Sequence, residues 1–277
     1  MNLALFDLDG TLIEGDSDHA FGQFLVNLGW VDPAEHKRRN DAFYRDYQAG
    51  CLDIHAYIDF ATAPWRHRAQ SDQAELSRRF MAEVMQPQLT AQARELIAGH
   101  QRAGDLVAIV TATNEFITRP IADALGVPDL IAVELERDAH GRVTGAIRGT
   151  PSFREGKVVR VDQWLAAQHR RWDDFDRTFF YSDSTNDLPL LERASDPVAT
   201  HPSPALEAIA LERGWRIPRL FSCSSDSSTG CWASPASRRR PLHRLASRWA
   251  SASKFQPPNM ASTPRWWTTA RSRWCVH

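Results

Sequence analysis

The chain has 277 residues, with 33 Lys and Arg against 34 Asp and Glu, 43% hydrophobic residues and only 14 glycines. That length allows one large domain or one with an insertion, and the ordinary composition excludes collagenous and coiled-coil classes. No run of roughly 18 apolar residues is present, so no membrane span is expected. The near-zero net charge hides a division: from Phe221 to His277 nine Lys and Arg face the single acid Asp226, whereas residues 1–220 carry 24 basic and 33 acidic residues.

Residues 3–6 form an apolar run that ends in Asp7-Leu-Asp9-Gly10-Thr11, as a buried strand closing in a glycine turn does. A start of this kind, with two acids already at positions 7 and 9, is not that of a signal peptide. About 80 residues without a convincing strand follow, with helical patterns over 34–49, near 53–61 and from Ser71 through Leu76, Phe80 and Val84. A stretch of that length is too long for a connection, so a helical insertion over 16–86 is expected between two parts of a core, 1–15 and 87–220. A helix from an N-cap at Thr90 to a stop at Gly104 leads into a second buried strand, 106–110. Further helices are expected over 116–125, 155–168, 187–193 and 203–213, a β-hairpin over 132–148, and strands at 178–181, 197–199 and 215–217. Apolar strands alternating with helices predict an α/β fold, a Rossmann-like parallel sheet flanked by helices.

Residues 221–277 differ. They hold 12 Ser, five Pro and five Trp, with too little periodic apolar material to offset the entropy of ordering, about 1–2 kcal/mol per residue. A disordered tail is expected, and its bias fits a GC-rich gene read in the wrong frame from near Phe221. The run Arg238-Arg239-Arg240 lacks the aromatic interleaving of a nucleic-acid platform and the period of a membrane-binding helix, so neither partner is expected. Of the four cysteines only Cys51 precedes this tail, and the spacings fit no metal or disulfide pattern, so a reducing, cytoplasmic setting is expected.

In an open α/β sheet, ligands collect at the carboxyl ends of the strands. The residues expected there are Asp7, Asp9 and Thr11, then Thr111-Ala-Thr113-Asn114, then Ser182-Asp183 through Asn186-Asp187, with Lys157 near the start of a helix. Several carboxylates in one place need a cation, and hard oxygen donors favour Mg²⁺ completed by water and a substrate phosphate. The chemistry suggested is phosphoryl transfer, in which one carboxylate attacks phosphorus and another protonates the leaving oxygen.

Asp7-x-Asp9-Gly-Thr, Thr111 after a strand, Lys157, and Asp183-x-x-Asn186-Asp187 together resemble the four motifs of the haloacid dehalogenase superfamily, over residues 1–220. The Phe-Asp-Leu-Asp-Gly-Thr-Leu start, the Gly-Thr-Pro-Ser-Phe-Arg-Glu-Gly-Lys segment and the helical insertion, like a C1 cap, resemble the branch that contains phosphoserine phosphatase. The resemblance implies Asp7 as nucleophile and Asp9 as general acid and base, with Thr111 and Lys157 on the phosphoryl group. It implies Mg²⁺ on Asp7, the Asp9 carbonyl and Asp183, with Asp187 supporting the metal shell and Asn186 near the phosphate. Asp16 stands where phosphoserine phosphatases usually place a substrate-binding Glu, and Thr-Ala-Thr-Asn replaces their usual Ser-Gly-Gly. A small phosphorylated metabolite is the expected substrate, histidinol phosphate or phosphoserine first, with Asp16 placed to meet an amino group. A phosphotransferase, or a Mg²⁺-binding phosphoacceptor without turnover, are the alternatives. Asp18 and His19 are read mainly as a polar helix start, and Trp65 and Arg66 mainly as packing residues.

Overall fold

A computed structural model describes residues 1–221. The expectations for the tail therefore lie outside the described residues, apart from Phe221 itself.

Five parallel strands make the central sheet: β1 (Leu3–Phe6), β2 (Leu106–Asn114), β3 (Asp129–Val133), and two later strands, Thr178–Ser182 and Asp196–Ala199. Between β3 and these lies an antiparallel hairpin of β4 (Leu135–Arg137) and β5 (Val143–Ile147), so the last two sheet strands are β6 and β7, and the sheet order is β3-β2-β1-β6-β7. β1 is central, pairing with β2 on one side and β6 on the other. Its four residues are wholly buried, and their alternation divides them between two cores. Ala4 and Phe6 face the cluster that holds Ile97, Ile117 and Ile121, while Leu3 and Leu5 face Val161, Leu165, Leu190 and Leu206. An apolar residue at every position is what a strand covered on both faces requires.

Helices α1 (Ser17–Asn27), α2 (Pro33–Gln48), α3 (Ile54–Thr62) and α4 (Gln70–Phe80) lie between β1 and β2. The first three start on aspartates, Asp16, Asp32 and Asp53, whose carboxylates accept from backbone N–H groups of the first turn. Such a cap contributes about 1 kcal/mol. The apolar residues of this layer, among them Phe21, Ile58, Phe80 and Trp65 from the turn after α3, join the core cluster of Phe6, so the layer is continuous with one face of the sheet. Helices α5 (Ala91–Arg102) and α6 (Glu115–Ala124) cover that same face; α7 (Glu155–Ala167), α8 (Leu188–Arg193) and α9 (Pro204–Arg213) cover the other.

Two expectations are corrected. The hairpin expected over 132–148 begins at Leu135, and its first residues belong to a separate edge strand, β3, because Val133 and Leu135 keep apolar alternation across Glu134 from one strand into the next. Residues 215–217 form no strand, since only Arg216 pairs with Val198, as an isolated bridge. Trp65 and Arg66 have the packing roles expected of them: the indole stacks on Phe116 at 4.0 Å, and the guanidinium pairs with Asp59 at 2.6 Å.

Candidate active site

The register places the candidate residues together. Phe6 lies opposite Ile109 and Tyr181, so the residues that stand side by side where β1 ends are Asp7, Val110-Thr111 and Ser182-Asp183. Asp7 is buried, and its backbone N–H still donates to the Tyr181 carbonyl at 2.9 Å. From there the chain turns at Gly10, whose φ is +72°. A Cβ at Gly10 would stand 2.5 Å from Asp183 Oδ2, so both the conformation and the close approach of the Asp183 carboxylate require glycine.

Lys157 reaches this centre from the first turn of α7 and is 2% exposed. The entry to α7 is tight: a Cβ at Gly156 would lie 2.1 Å from the Pro151 carbonyl oxygen. The ammonium donates to Asp7 Oδ1 at 2.9 Å and to Asp187 Oδ2 at 2.8 Å, and Asp187 also accepts from Ser182 Oγ at 2.7 Å. Burial works against the charge on Lys157, but Asp187 and Asp7 outweigh it and hold its pKa above the usual lysine value. Burial pushes Asp7 up to about 7, a rise that Lys157 limits and that Asp187 and Asp9 increase. Asp183 lies well above the usual carboxylate range through burial and the charges of Asp7 and Asp187.

Asp9 stands on the other side of the turn, half-buried. Its Oδ1 accepts from the Ser17 N–H at 2.6 Å and its Oδ2 from Thr113 Oγ at 2.9 Å. Burial, then the charge of Asp16, raises its pKa to about 6 against these two hydrogen bonds. Thr111 is buried, and its hydroxyl oxygen accepts from the Thr113 N–H at 3.1 Å, which leaves its proton to donate.

The remaining predicted residues are placed differently. Asp16 is exposed and caps α1, with Oδ1 2.9 Å from the His19 N–H. Asn186 Nδ2 donates to the Tyr47 carbonyl at 3.3 Å, so in this structure it touches α2. Tyr47 is not singled out by the sequence, while Thr113 and Ser182 are expected at the strand ends but given no role there. Tyr47 Oη donates to Ser184 Oγ at 3.3 Å, and its pKa is raised by burial and by Asp187, Asp183 and Asp7. Thr113 was legible in principle, since residues two apart on a strand share a face with Thr111. Nothing in the helical pattern of 34–49 marks Tyr47.

The model for haloacid dehalogenase-like hydrolases matches residues 4–192. The chain belongs to this family. It is 47% identical over 216 residues to a protein of Neisseria meningitidis serogroup C named histidinol-phosphatase, covering 78% of this chain and 97% of that one. A solved structure from Bordetella pertussis Tohama I is 49% identical, with a TM-score of 0.75 over 79% of this chain and 99% of that one. A substrate-bound phosphoserine phosphatase shares the fold at a TM-score of 0.54 and 18% identity, over 74% and 89% of the two chains. The chain is thus an enzyme of the family's phosphatase branch. No described helix is long and apolar enough to cross a membrane.

The donor set suits Mg²⁺. The charge of Asp7 raises the pKa of the neighbouring Asp183, a repulsion that a shared cation would relieve. Among the described residues no three acidic, histidine or cysteine side chains form a ready cage. Two carboxylates, a backbone carbonyl and ligands from water and substrate form a set that Mg²⁺ accepts, because it keeps several waters and favours substrate phosphates.

Proposed function

We propose that the protein is a Mg²⁺-dependent phosphomonoesterase that hydrolyses histidinol phosphate through an aspartyl-phosphate on Asp7. The observation that carries the reading is the pair of acids at the end of β1 with opposite surroundings. Asp7 faces an ammonium at 2.9 Å, whereas Asp9 faces only neutral donors and a neighbouring acid. The first is suited to attack, and the second to hold a proton near neutral pH.

In the first step an Asp7 carboxylate oxygen bonds to phosphorus while the ester P–O bond breaks, and Asp9 gives its proton to the departing alkoxide. In the second, Asp9 takes a proton from water, which attacks the phosphorus of phospho-Asp7 and releases inorganic phosphate. Lys157 and the Thr111 hydroxyl bind the phosphoryl oxygens, and Lys157, fixed by Asp187, neutralises the developing charge. Asp7, Asp183 and the Asp9 carbonyl would hold Mg²⁺, which when bound supplies further neutralisation of the phosphoryl oxygens, with Asp187 beside this set. Helices α1 to α4 act as a cap that excludes bulk water, with Tyr47 and Asn186 at its seam with the core. Asp16, exposed near Asp9, receives the amino group of the substrate.

The identity of the ester is supported by the relative named histidinol-phosphatase, at 47% identity over almost its whole length. The test is kcat/KM on histidinol phosphate, phosphoserine and an aryl phosphate, followed by phosphate release in water with no other acceptor. Histidinol phosphate is expected to lead phosphoserine by a factor of about 100 or more, the scale of a mismatched charged group in a site. A preference for phosphoserine would overturn the substrate, and a requirement for an acceptor alcohol would make the enzyme a phosphotransferase.

A further inference from the structure

Asp18 is a buried acid that the reaction above leaves unused. It is the second residue of α1, directly after Ser17, whose N–H binds the leaving-group acid Asp9 at 2.6 Å. It is 9% exposed and lines a small cavity together with Tyr57 of α3. Asp9, Asp16 and Asp18 thus line one end of the site, and the groups acting on Asp9 and Asp18 include no lysine or arginine. Burial, Asp16 and Asp9 raise Asp18 to about 8, as expected of an acid without a counter-ion.

One unpartnered atom marks the same place. His36 Nε2 is buried and has no hydrogen-bond partner. It opens on a cavity of about 10 Å³ that it lines with Asp18, Asn40 and Tyr57. A Cβ at Gly22 would stand 2.7 Å from this nitrogen, so the glycine is what lets the imidazole pack this close to α1. Buried polar atoms are nearly always satisfied, and those left over at a site are set for a ligand or water.

We propose that Asp18 and Tyr57 form the leaving-group subsite, which holds a cationic group of the alcohol and rejects alcohols that carry a carboxylate. The inference rests on the reading of the protein as a phosphomonoesterase with Asp9 as the leaving-group acid. Histidinol carries an ammonium and an imidazole and no carboxylate, so each of its polar groups can meet an acid or a hydroxyl. Serine carries a carboxylate as well as an ammonium. Bound here, that carboxylate would face Asp9, Asp16 and Asp18, and no lysine or arginine acts on Asp9 or Asp18.

The test compares kcat/KM on histidinol phosphate, phosphoserine and an aryl phosphate in the wild type, Asp18→Asn and Tyr57→Phe, with Mg²⁺ and with melting temperatures as the check on folding. Asp18→Asn is expected to lower the ratio of histidinol phosphate to aryl phosphate about thirtyfold or more, the effect of removing one partner of a buried charge pair. It should also narrow the gap between histidinol phosphate and phosphoserine. Tyr57→Phe, the milder change, is expected to lower the first ratio about three- to tenfold, the worth of one hydrogen bond. An unchanged ratio in both variants, or an equal fall on all three esters, overturns the subsite. Should the wild type cleave the aryl phosphate but not histidinol phosphate, the substrate reading fails alone; ethanolamine phosphate then replaces it, with the same loss expected. A wild type inactive on every ester overturns both.

Discussion

Replacing Lys157 with methionine keeps the length of the side chain and removes its charge. The ammonium is 2% exposed and bonds to two carboxylates, Asp7 at 2.9 Å and Asp187 at 2.7 Å. Its loss leaves two buried acids facing each other without a cation, and breaking a buried pair in this way costs about 3–5 kcal/mol. For a body of roughly 220 residues that corresponds to a fall in Tm of about 10 °C, at 2–4 °C per kcal/mol. The penalty depends on pH with a definite sign. Asp7 already sits near 7, above its ordinary 3.8, and loses the one group that lowers it. The folded state then binds more protons than the unfolded state, so stability rises as pH falls through the folded pKa. Urea denaturation in EDTA should therefore show the full loss at pH 8 and a smaller one at pH 5. Asp187→Asn in the Lys157→Met background removes one of the stranded charges and should recover about 1.5 kcal/mol or more relative to the sum of the single changes. Strict additivity, or a loss of stability independent of pH, would refute the account of Lys157 as the counter-ion of this pair.

Three further outcomes are expected. Gly10→Ala places a Cβ 2.5 Å from Asp183 Oδ2 at a φ of +72°; it should cost about 1–3 kcal/mol in stability and weaken Mg²⁺ binding measured by calorimetry. Chelation of the metal should abolish turnover, and Mg²⁺ added back should restore activity and raise Tm, because it relieves the repulsion between Asp7 and Asp183; unchanged activity in EDTA would contradict the role given to these acids. Tyr47→Phe removes the hydroxyl donor to Ser184 across the seam between α2 and the loop after β6, and should raise KM several-fold with a stability change within about 1 kcal/mol.

The parts of the fold legible in the sequence are those where one signal dominates. An apolar run closed by Asp-x-Asp-Gly admits little besides a buried strand and turn, and the Thr90 N-cap appears in the structure as read, accepting from the Ala93 N–H at 3.2 Å. The edge strand β3 was hidden because its apolar residues run into those of β4, and periodicity does not mark where one short strand ends and the next begins. β2 extends to Asn114, beyond the apolar run that announces it, since pairing with β3 resumes at Asn114, opposite Val133, after an irregularity that follows Val110. Of the site, the residues adjacent in sequence to strand ends were legible because topology alone delivers them. Tyr47 and Tyr57 were not, because the position of α2 and α3 over the sheet depends on tertiary packing. Asp18 was visible only as a polar helix start. Its burial and its place beside Tyr57 at the cavity belong to the packed structure.

The central claim is that the phosphoryl group passes through Asp7. It is tested by quenching the enzyme in acid during turnover of histidinol phosphate and mapping the modified residue by peptide mass spectrometry. A single phosphoryl group on Asp7, absent from an Asp7→Asn variant whose kcat has fallen by a factor of about 10⁴ or more, is the predicted result. Modification of a different residue, or an Asp7→Asn variant that still turns over at the wild-type rate, would contradict it.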